Sequence, residues 1–162
     1  MIERMLLNQL KMVRSFTIHL MDSTPEAIVN HIPKGYRNNI LWHFGHILFE
    51  QENSLFGLLN EQLVLPEHYA TMFRYGTNPL EWSMLPPSIE TLRSLLLEQP
   101  IRIHEAFGSK LLVRLPVPIK LGPYIVMETI GELLNFSLYH EGIHNGSIRA
   151  LKKAISAGDL HS

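Results

Sequence analysis

The stretch that decides the fold is LLNFSLYHEGIHNGSIRALKKAI, residues 133–155. Its apolar side chains recur at spacings of three and four, the repeat that gathers residues on one face of an α-helix. We therefore predict a fourth long helix that begins between Tyr124 and Glu128 and carries His140 and His144 on its inward face. That face consists of Leu133, Ser137, His140, His144, Ile148, Leu151 and Ile155.

Three more long helices are predicted upstream. The second begins at Asn38 or Asn39, which are favourable N-cap residues, and runs to about Asn60. The third begins after Ser88, and Pro100 is expected to kink or interrupt it because proline lacks a backbone N–H. The first helix has one continuous face made of Leu6, Leu10, Val13, Thr17 and Leu20.

The connections between these helices are rich in proline and glycine. Residues 24–35 are predicted to hold one short helix, residues 61–87 to form a loop, and residues 108–124 an extended connection or irregular hairpin. Helices joined in this way indicate an all-α fold, and we predict an antiparallel four-helix bundle with long irregular connections. The length suits a single domain over residues 1–162.

Composition excludes several classes of function. A net charge of −1 gives no long-range field that would attract nucleic acid or an anionic membrane. The chain has no Cys, which excludes disulfides, thiolate metal sites and a Cys nucleophile. It has neither an apolar run long enough for a membrane span nor an uncharged signal-peptide region. We therefore expect a cytoplasmic protein that binds no nucleic acid and no membrane.

His140 and His144 lie four residues apart, so their imidazoles can share one metal ion. His46, far upstream, is the candidate third ligand. Three neutral His ligands leave coordination positions open, as in a reactive metal site, and metal affinity is expected to fall as the pH drops through about 6.5. The alternative is a pair of structural histidines that are hydrogen-bonded within the core.

Residues 140–144 also match the His-Glu-x-x-His motif of zinc peptidases, in which the Glu is the general base. The longer form of that motif needs Gly at position 147 and His at position 150, where this chain has Ser147 and Ala150. Asp159 and His161 are the downstream residues left to complete such a site, in a tail that is expected to fray. A peptidase is therefore disfavoured.

Three segments together resemble the DinB family, which includes bacillithiol transferases and related thiol-dependent enzymes. They are PKGYRNN at residues 33–39, WHFGHI at residues 42–47 and GELLNFSLYHEGIHNG at residues 131–146. The resemblance spans most of the chain. It implies an up-down-down-up four-helix bundle, commonly a homodimer, that binds a divalent metal, usually nickel or zinc. His46 matches the ligand on the second helix, and His140 and His144 match the pair on the fourth.

Further side chains on the predicted faces could line this site. His43 could line the pocket, contact a metal ligand or simply pack, and these roles together are favoured over direct ligation. Glu50, one turn after His46, either orients its imidazole or faces solvent. Glu141 is a weaker candidate for a chemical role. The complete set of candidate lining residues is Trp42, His43, Phe49, Glu50, Asn53 and Ser137.

The predicted site supports three alternative functions, and no catalytic residue is identified. An S-transferase would join a low-molecular-weight thiol cosubstrate to a small-molecule substrate, because a metal ion lowers the pKa of a bound thiol. A hydrolase would use water activated in the same way. A non-enzymatic, stress-related metal-binding protein would need no turnover. The DinB resemblance favours the thiol-dependent transferase.

Overall fold

The computed structural model describes residues 1–158, and most of them are helical, as the sequence predicts; the antiparallel four-helix bundle stays a prediction. Two strands, β1 (Arg114–Leu121) and β2 (Ile125–Thr129), form an antiparallel hairpin. Among the helices of these residues, none combines the length and hydrophobicity that crossing a membrane requires. The helices are α1 (Ile2–Asp22), α2 (Glu26–Val29), α3 (Ile40–Glu52), α4 (His68–Phe73), α5 (Ile89–Phe107) and α6 (Ile130–Gly158).

The four long helices bury two apolar clusters with a polar layer between them. Helix α1 packs against α5 and α6, and α3 packs against the same two helices. One cluster contains Ile18, Leu48, Leu96 and Ile148, and the other contains Leu10, Leu55, Ile103 and Leu134. The up-down-down-up order of the helices stays a prediction. The polar layer is made of the buried residues Arg14, Thr17, Gln51, Glu52, Gln99 and Glu141.

Arg14 is the centre of the polar layer and is only 3% exposed. Its Nε and Nη2 atoms donate to Oε1 and Oε2 of Glu141 on α6, at 2.9 and 3.2 Å. Nη2 also donates to Gln51 on α3 at 2.7 Å and to Gln99 on α5 at 3.1 Å. A single guanidinium on α1 therefore binds side chains from the other three long helices.

The same guanidinium explains why a proline is tolerated within α5. The helix runs from Ile89 to Phe107 without a break, so the predicted interruption at Pro100 is wrong. Because proline has no N–H, the carbonyl of Leu96 loses its helical donor. Arg14 Nη1 donates to that carbonyl at 2.6 Å. The hydrogen bond missing from α5 is thus replaced by one from α1.

Two helix boundaries differ from the predictions. Helix α3 ends at Glu52 and continues as a π-helical turn, Asn53–Gly57, instead of reaching Asn60 as an α-helix. Helix α6 begins at Ile130, later than predicted, because the residues before it pair with β1. At the start of α6, strand pairing within the hairpin thus overrides local helix propensity.

Two predicted N-caps are confirmed. The side chain of Asn39 accepts a hydrogen bond from the backbone N–H of Trp42, and the side chain of Ser88 accepts one from Thr91. These caps satisfy N–H groups that have no partner within a helix. They fix where α3 and α5 begin, and the Asn39 cap thereby sets the start of the helix that carries His46.

Replacing Arg14 by Met is expected to lower the free energy of unfolding by about 3–5 kcal/mol, because it leaves the Glu141 carboxylate buried without its cation. The double variant Arg14→Met/Glu141→Gln should recover part of that loss, since no unpaired charge remains. Urea unfolding followed by circular dichroism measures both. An Arg14→Met protein within about 1 kcal/mol of wild type, as expected for an exposed ion pair, would contradict this account.

Candidate metal centre

Three imidazoles converge between α3 and α6. His46 Nε2 lies 3.2 Å from His140 Nε2, which in turn lies 3.1 Å from His144 Nε2. One nitrogen from each ring lies within 4.8 Å of the others, so these three residues could hold one metal ion. The structure therefore brings together the trio that the sequence singled out.

The spacing of the three Nε2 atoms fits a shared metal ion. Two imidazole nitrogens that bind a tetrahedral zinc ion at about 2.0–2.1 Å lie roughly 3.3 Å apart, close to the observed 3.1 and 3.2 Å. A neutral imidazole has only one N–H. His140 Nε2 can therefore donate well to at most one of its two neighbours, whereas a cation could accept a lone pair from all three rings.

His46 is oriented by a backbone carbonyl on α4. Its Nδ1 lies 2.6 Å from the carbonyl oxygen of Phe73. Since a carbonyl can only accept, Nδ1 carries the ring proton and Nε2 presents its lone pair to the other two rings. Trp42 stacks on the imidazole with ring centroids 4.4 Å apart, and its own Nε1 donates to Thr77 Oγ1 at 2.8 Å.

Gly45 allows α4 to come this close. A Cβ atom at Gly45 would lie 2.3 Å from Cε1 of Phe73, which no side chain could accommodate without a shift. Phe73 is fully buried against α3 at this point. The glycine next to His46 is therefore needed for space, and it lets the Phe73 carbonyl reach the imidazole. A loop was predicted for residues 61–87, and neither α4 nor this contact was predicted.

His144 has a nitrogen neighbour on each side of its ring. Its Nε2 faces His140, and its Nδ1 lies 2.8 Å from Nδ1 of His43. His43 is half-buried on α3, one turn before His46. The imidazole of His43 therefore lies outside the converging trio. It contacts the edge of His144 that is turned away from His140.

Burial keeps these rings neutral. The pKa of His43 is lowered to about 4, mainly because burial removes hydration and to a smaller extent because of the charge of the neighbouring His46. Burial and the other three imidazoles lower the pKa of His144 to about 2. Burial also lowers the pKa of His46 and of His140 from the usual 6.5. All four side chains are uncharged at neutral pH, which is the state in which imidazole binds metal.

A family model described as the DinB superfamily matches residues 9–148. This chain belongs to the DinB superfamily. A similar solved structure is the crystal structure of a conserved protein of a locus from Enterococcus faecalis, at 12% identity and a TM-score of 0.68. The alignment covers 95% of this chain and 96% of that one, and at this identity it shows the fold alone. No curated protein matches the chain.

In this DinB-superfamily chain, Glu141 belongs to the polar layer. It is 1% exposed, its two oxygens bind Arg14, and it accepts a hydrogen bond from Thr17. A general base must reach the proton that it removes, and this carboxylate is enclosed by its partners. Asp159 and His161, which a peptidase would need downstream, lie outside the described residues. The structure thus favours a structural role for Glu141.

Glu50 is not the residue that orients His46. Its Oε1 lies 3.9 Å from His46 Nδ1, whereas the Phe73 carbonyl lies at 2.6 Å. The same carboxylate oxygen accepts the backbone N–H of Tyr75 at 3.2 Å. The proton on His46 Nδ1 therefore goes to the carbonyl, and Glu50 remains a partly exposed acid at the edge of the site.

The other candidate lining residues divide between two places. Glu50 and Ser137 line a cavity of about 60 Å³ that also reaches His140. Phe49 and Asn53 line another cavity, of about 470 Å³, to which none of the three converging histidines contributes. Whether any of these residues contacts a substrate stays a prediction.

Metal affinity is expected to change little between pH 7.5 and 6.0. Three imidazoles with ordinary pKa values near 6.5 would lose affinity by roughly 50-fold over this range through proton competition. Here burial lowers the pKa of His46, His140 and His144, so the expected loss is a few-fold. The fall near pH 6.5 expected from the sequence is thereby moved to more acidic pH. Competition titrations with a zinc chelator at both pH values measure this.

The same pKa shifts give the apo protein a distinct pH dependence of stability. Below pH 6.5 the unfolded chain binds protons at these imidazoles, while the folded chain does not until the pH falls much further. The free energy of unfolding should therefore decrease as the pH drops from 6.5, because burial lowers the pKa of His43 to about 4. A 50-fold loss of affinity by pH 6.0, together with flat stability over this range, would contradict the assignment of neutral rings.

Proposed function

We propose that this chain is a divalent-metal-dependent enzyme of the DinB type that uses a low-molecular-weight thiol in an S-transfer reaction. His46, His140 and His144 would hold the metal, with nickel or zinc as the expected ion. The observation that carries the proposal is the position of His140 Nε2, which lies 3.2 Å from His46 Nε2 and 3.1 Å from His144 Nε2. The accompanying architecture would be an antiparallel up-down-down-up bundle that forms a homodimer in the cytoplasm.

The donor set suits chemistry at an open metal site. When bound, the divalent ion would act as a Lewis acid that lowers the pKa of a thiol or water. The three imidazoles contribute no negative charge, and the Glu141 carboxylate is neutralised by Arg14. The partly exposed Glu50 at the edge of the site is a further nearby carboxylate, so the site would keep a net positive charge, which favours an anionic ligand such as a thiolate.

Among the described residues, the side chains that line the cavity next to His140 include the hydroxyls of Ser54 and Ser137 and no thiol. The chain has no Cys. Ser137, which lines the cavity next to His140, donates its hydroxyl proton to the carbonyl of Leu134 and accepts a hydrogen bond from Gln51. The thiol of an S-transfer reaction would therefore come from a small molecule, as the proposed cosubstrate does.

A small molecule would approach between α3 and α6. The cavity of about 60 Å³ at this place is lined by His140, Glu50 and Phe136. The partly exposed carboxylate of Glu50 and the ring of Phe136 make the surface of this cavity both polar and apolar. The cavity is large enough for one or two waters and too small to enclose a thiol conjugate, so the substrate would extend into solvent or require side-chain movement.

The test begins with elemental analysis of purified protein and continues with a conjugation assay. Metal-loaded protein is offered an electrophilic bimane with bacillithiol, glutathione, coenzyme A or cysteine in turn. One metal ion per chain and metal-dependent conjugation with one of the thiols are expected. His140→Ala should lose both, because it removes one of the three ligands.

Other outcomes would select the alternatives. Bound metal with ester or amide hydrolysis, and no thiol transfer, would identify a hydrolase. Bound metal with no turnover, together with unfolding on chelation, would identify a non-enzymatic metal-binding protein. A wild-type chain that takes up no divalent metal would contradict the proposed function entirely.

Light scattering would decide whether the protein is the expected homodimer, for which the exposed Met5, Met12 and Phe16 on α1 offer an apolar stripe.

A further inference from the structure

His43 contacts the metal centre from outside. Its Nδ1 lies 2.8 Å from Nδ1 of His144, with the two ring centroids 5.1 Å apart. His43 is absent from the group of side chains that could hold a metal ion among the described residues, which consists of His46, His140 and His144. The contact therefore joins a fourth imidazole on α3 to one candidate ligand on α6.

The proton positions on these rings follow from one another. His144 turns its Nε2 towards His140 at 3.1 Å, so metal binding there requires the lone pair on Nε2. A neutral His144 then carries its proton on Nδ1. The atom that faces this N–H is Nδ1 of His43, which must be the acceptor and must itself be unprotonated. His43 consequently carries its proton on Nε2.

We propose that His43 is a positioning residue that accepts the Nδ1–H of His144 and so fixes the tautomer and ring orientation with which His144 binds metal. The inference rests on the proposed metal site. The Phe73 carbonyl has the same role for His46, because it accepts the Nδ1–H of His46 at 2.6 Å. Two ligands of the trio are thus oriented by acceptors on the far side of their rings.

A neutral imidazole acceptor differs in its effect from the carboxylate often found in this place. Hydrogen bonding at Nδ1 raises the basicity of Nε2 and fixes its direction, whichever acceptor provides it. A carboxylate would also add a negative charge beside the metal, whereas His43 adds none. The contact therefore strengthens His144 as a ligand while leaving the positive charge of the site available to an anionic cosubstrate.

The surroundings of His43 hold its ring in place for this role. Trp42 meets it edge to face, with ring centroids 5.2 Å apart and an interplanar angle of 87°. The same Trp42 is stacked on His46 and anchored to Thr77 through its indole N–H. One fixed aromatic side chain therefore contacts both His43 and His46, which couples the orientation of the acceptor to that of a ligand.

Two matched variants test the inference. In His43→Asn, the amide oxygen can take the position of Nδ1 and still accept the hydrogen bond, whereas His43→Leu has similar bulk and no acceptor. Affinity for Zn²⁺ and Co²⁺ alone is measured at pH 7.5 by competition with a chromophoric chelator. The absorption spectrum of bound Co²⁺ reports the number and type of ligands.

The expected result is a 10- to 100-fold loss of affinity in His43→Leu, the usual effect of removing an outer hydrogen-bond partner. His43→Asn should stay within about threefold of wild type, and the Co²⁺ spectrum should be the same in all three proteins. Wild-type affinity in His43→Leu would overturn the inference by showing that His43 only packs. Equal losses in both variants with an altered Co²⁺ spectrum would overturn it by showing that His43 is itself a ligand.

A second measurement keeps the inference testable if His43→Leu fails to fold. Long-range ¹H–¹⁵N correlation spectra of the zinc-loaded wild type should show His144 protonated at Nδ1 and His43 protonated at Nε2. The opposite tautomer on His43 would overturn the inference while leaving the metal site intact. A wild-type protein that binds no divalent metal would overturn the proposed function and this inference together.

Discussion

The buried guanidinium of Arg14 is the constraint on which the arrangement of the long helices depends. A charge that is 3% exposed must be paired and hydrogen-bonded. Here its partners come from three other helices: Glu141 on α6, Gln51 on α3, and the Leu96 carbonyl that Pro100 leaves without a donor on α5. Rotation or sliding of any one helix would leave part of this group unsatisfied in the core.

This constraint bears directly on the metal centre, because Glu141 lies between His140 and His144 in the sequence. Successive helical residues are about 100° apart. When Glu141 turns towards Arg14 on α1, the histidines on either side of it are directed towards α3 and His46. We regard the Arg14–Glu141 pair as a device that specifies the rotation of α6, since a buried ion pair often adds little net stability over apolar residues of similar size.

The features of the fold that depend on residues close together in the sequence were predictable. The repeat of three and four along residues 133–155, the N-cap at Asn39 and the inward pair His140 and His144 are local features, and the structure contains them. His46 was the candidate third member from the sequence, and the resemblance to the DinB family strengthened that choice over His43 one turn earlier.

The parts that depend on distant contacts were not predictable. Pro100 was expected to kink or interrupt a helix, since nothing in its neighbourhood shows that Arg14 supplies the missing donor. Arg14 shares a helix face with Leu7 and Leu10, and that placement was the available signal of a buried charge. The acceptor for His46 is the main-chain carbonyl of Phe73. Every residue has such a carbonyl, so the residue type does not reveal this contact. Glu141 matched the general-base position of a motif that the sequence disfavoured, and its partner Arg14, which is distant in sequence, was not predicted.

The central claim is that three neutral imidazoles, and no protein carboxylate, bind one divalent ion. X-ray absorption spectroscopy of the zinc- or nickel-loaded protein tests this most directly, because multiple scattering identifies imidazole rings and counts them. We expect three imidazoles per metal at about 2.0–2.1 Å for zinc, with the remaining coordination from light atoms of solvent or cosubstrate. A spectrum that fits fewer than three imidazoles, or that requires four, would contradict it.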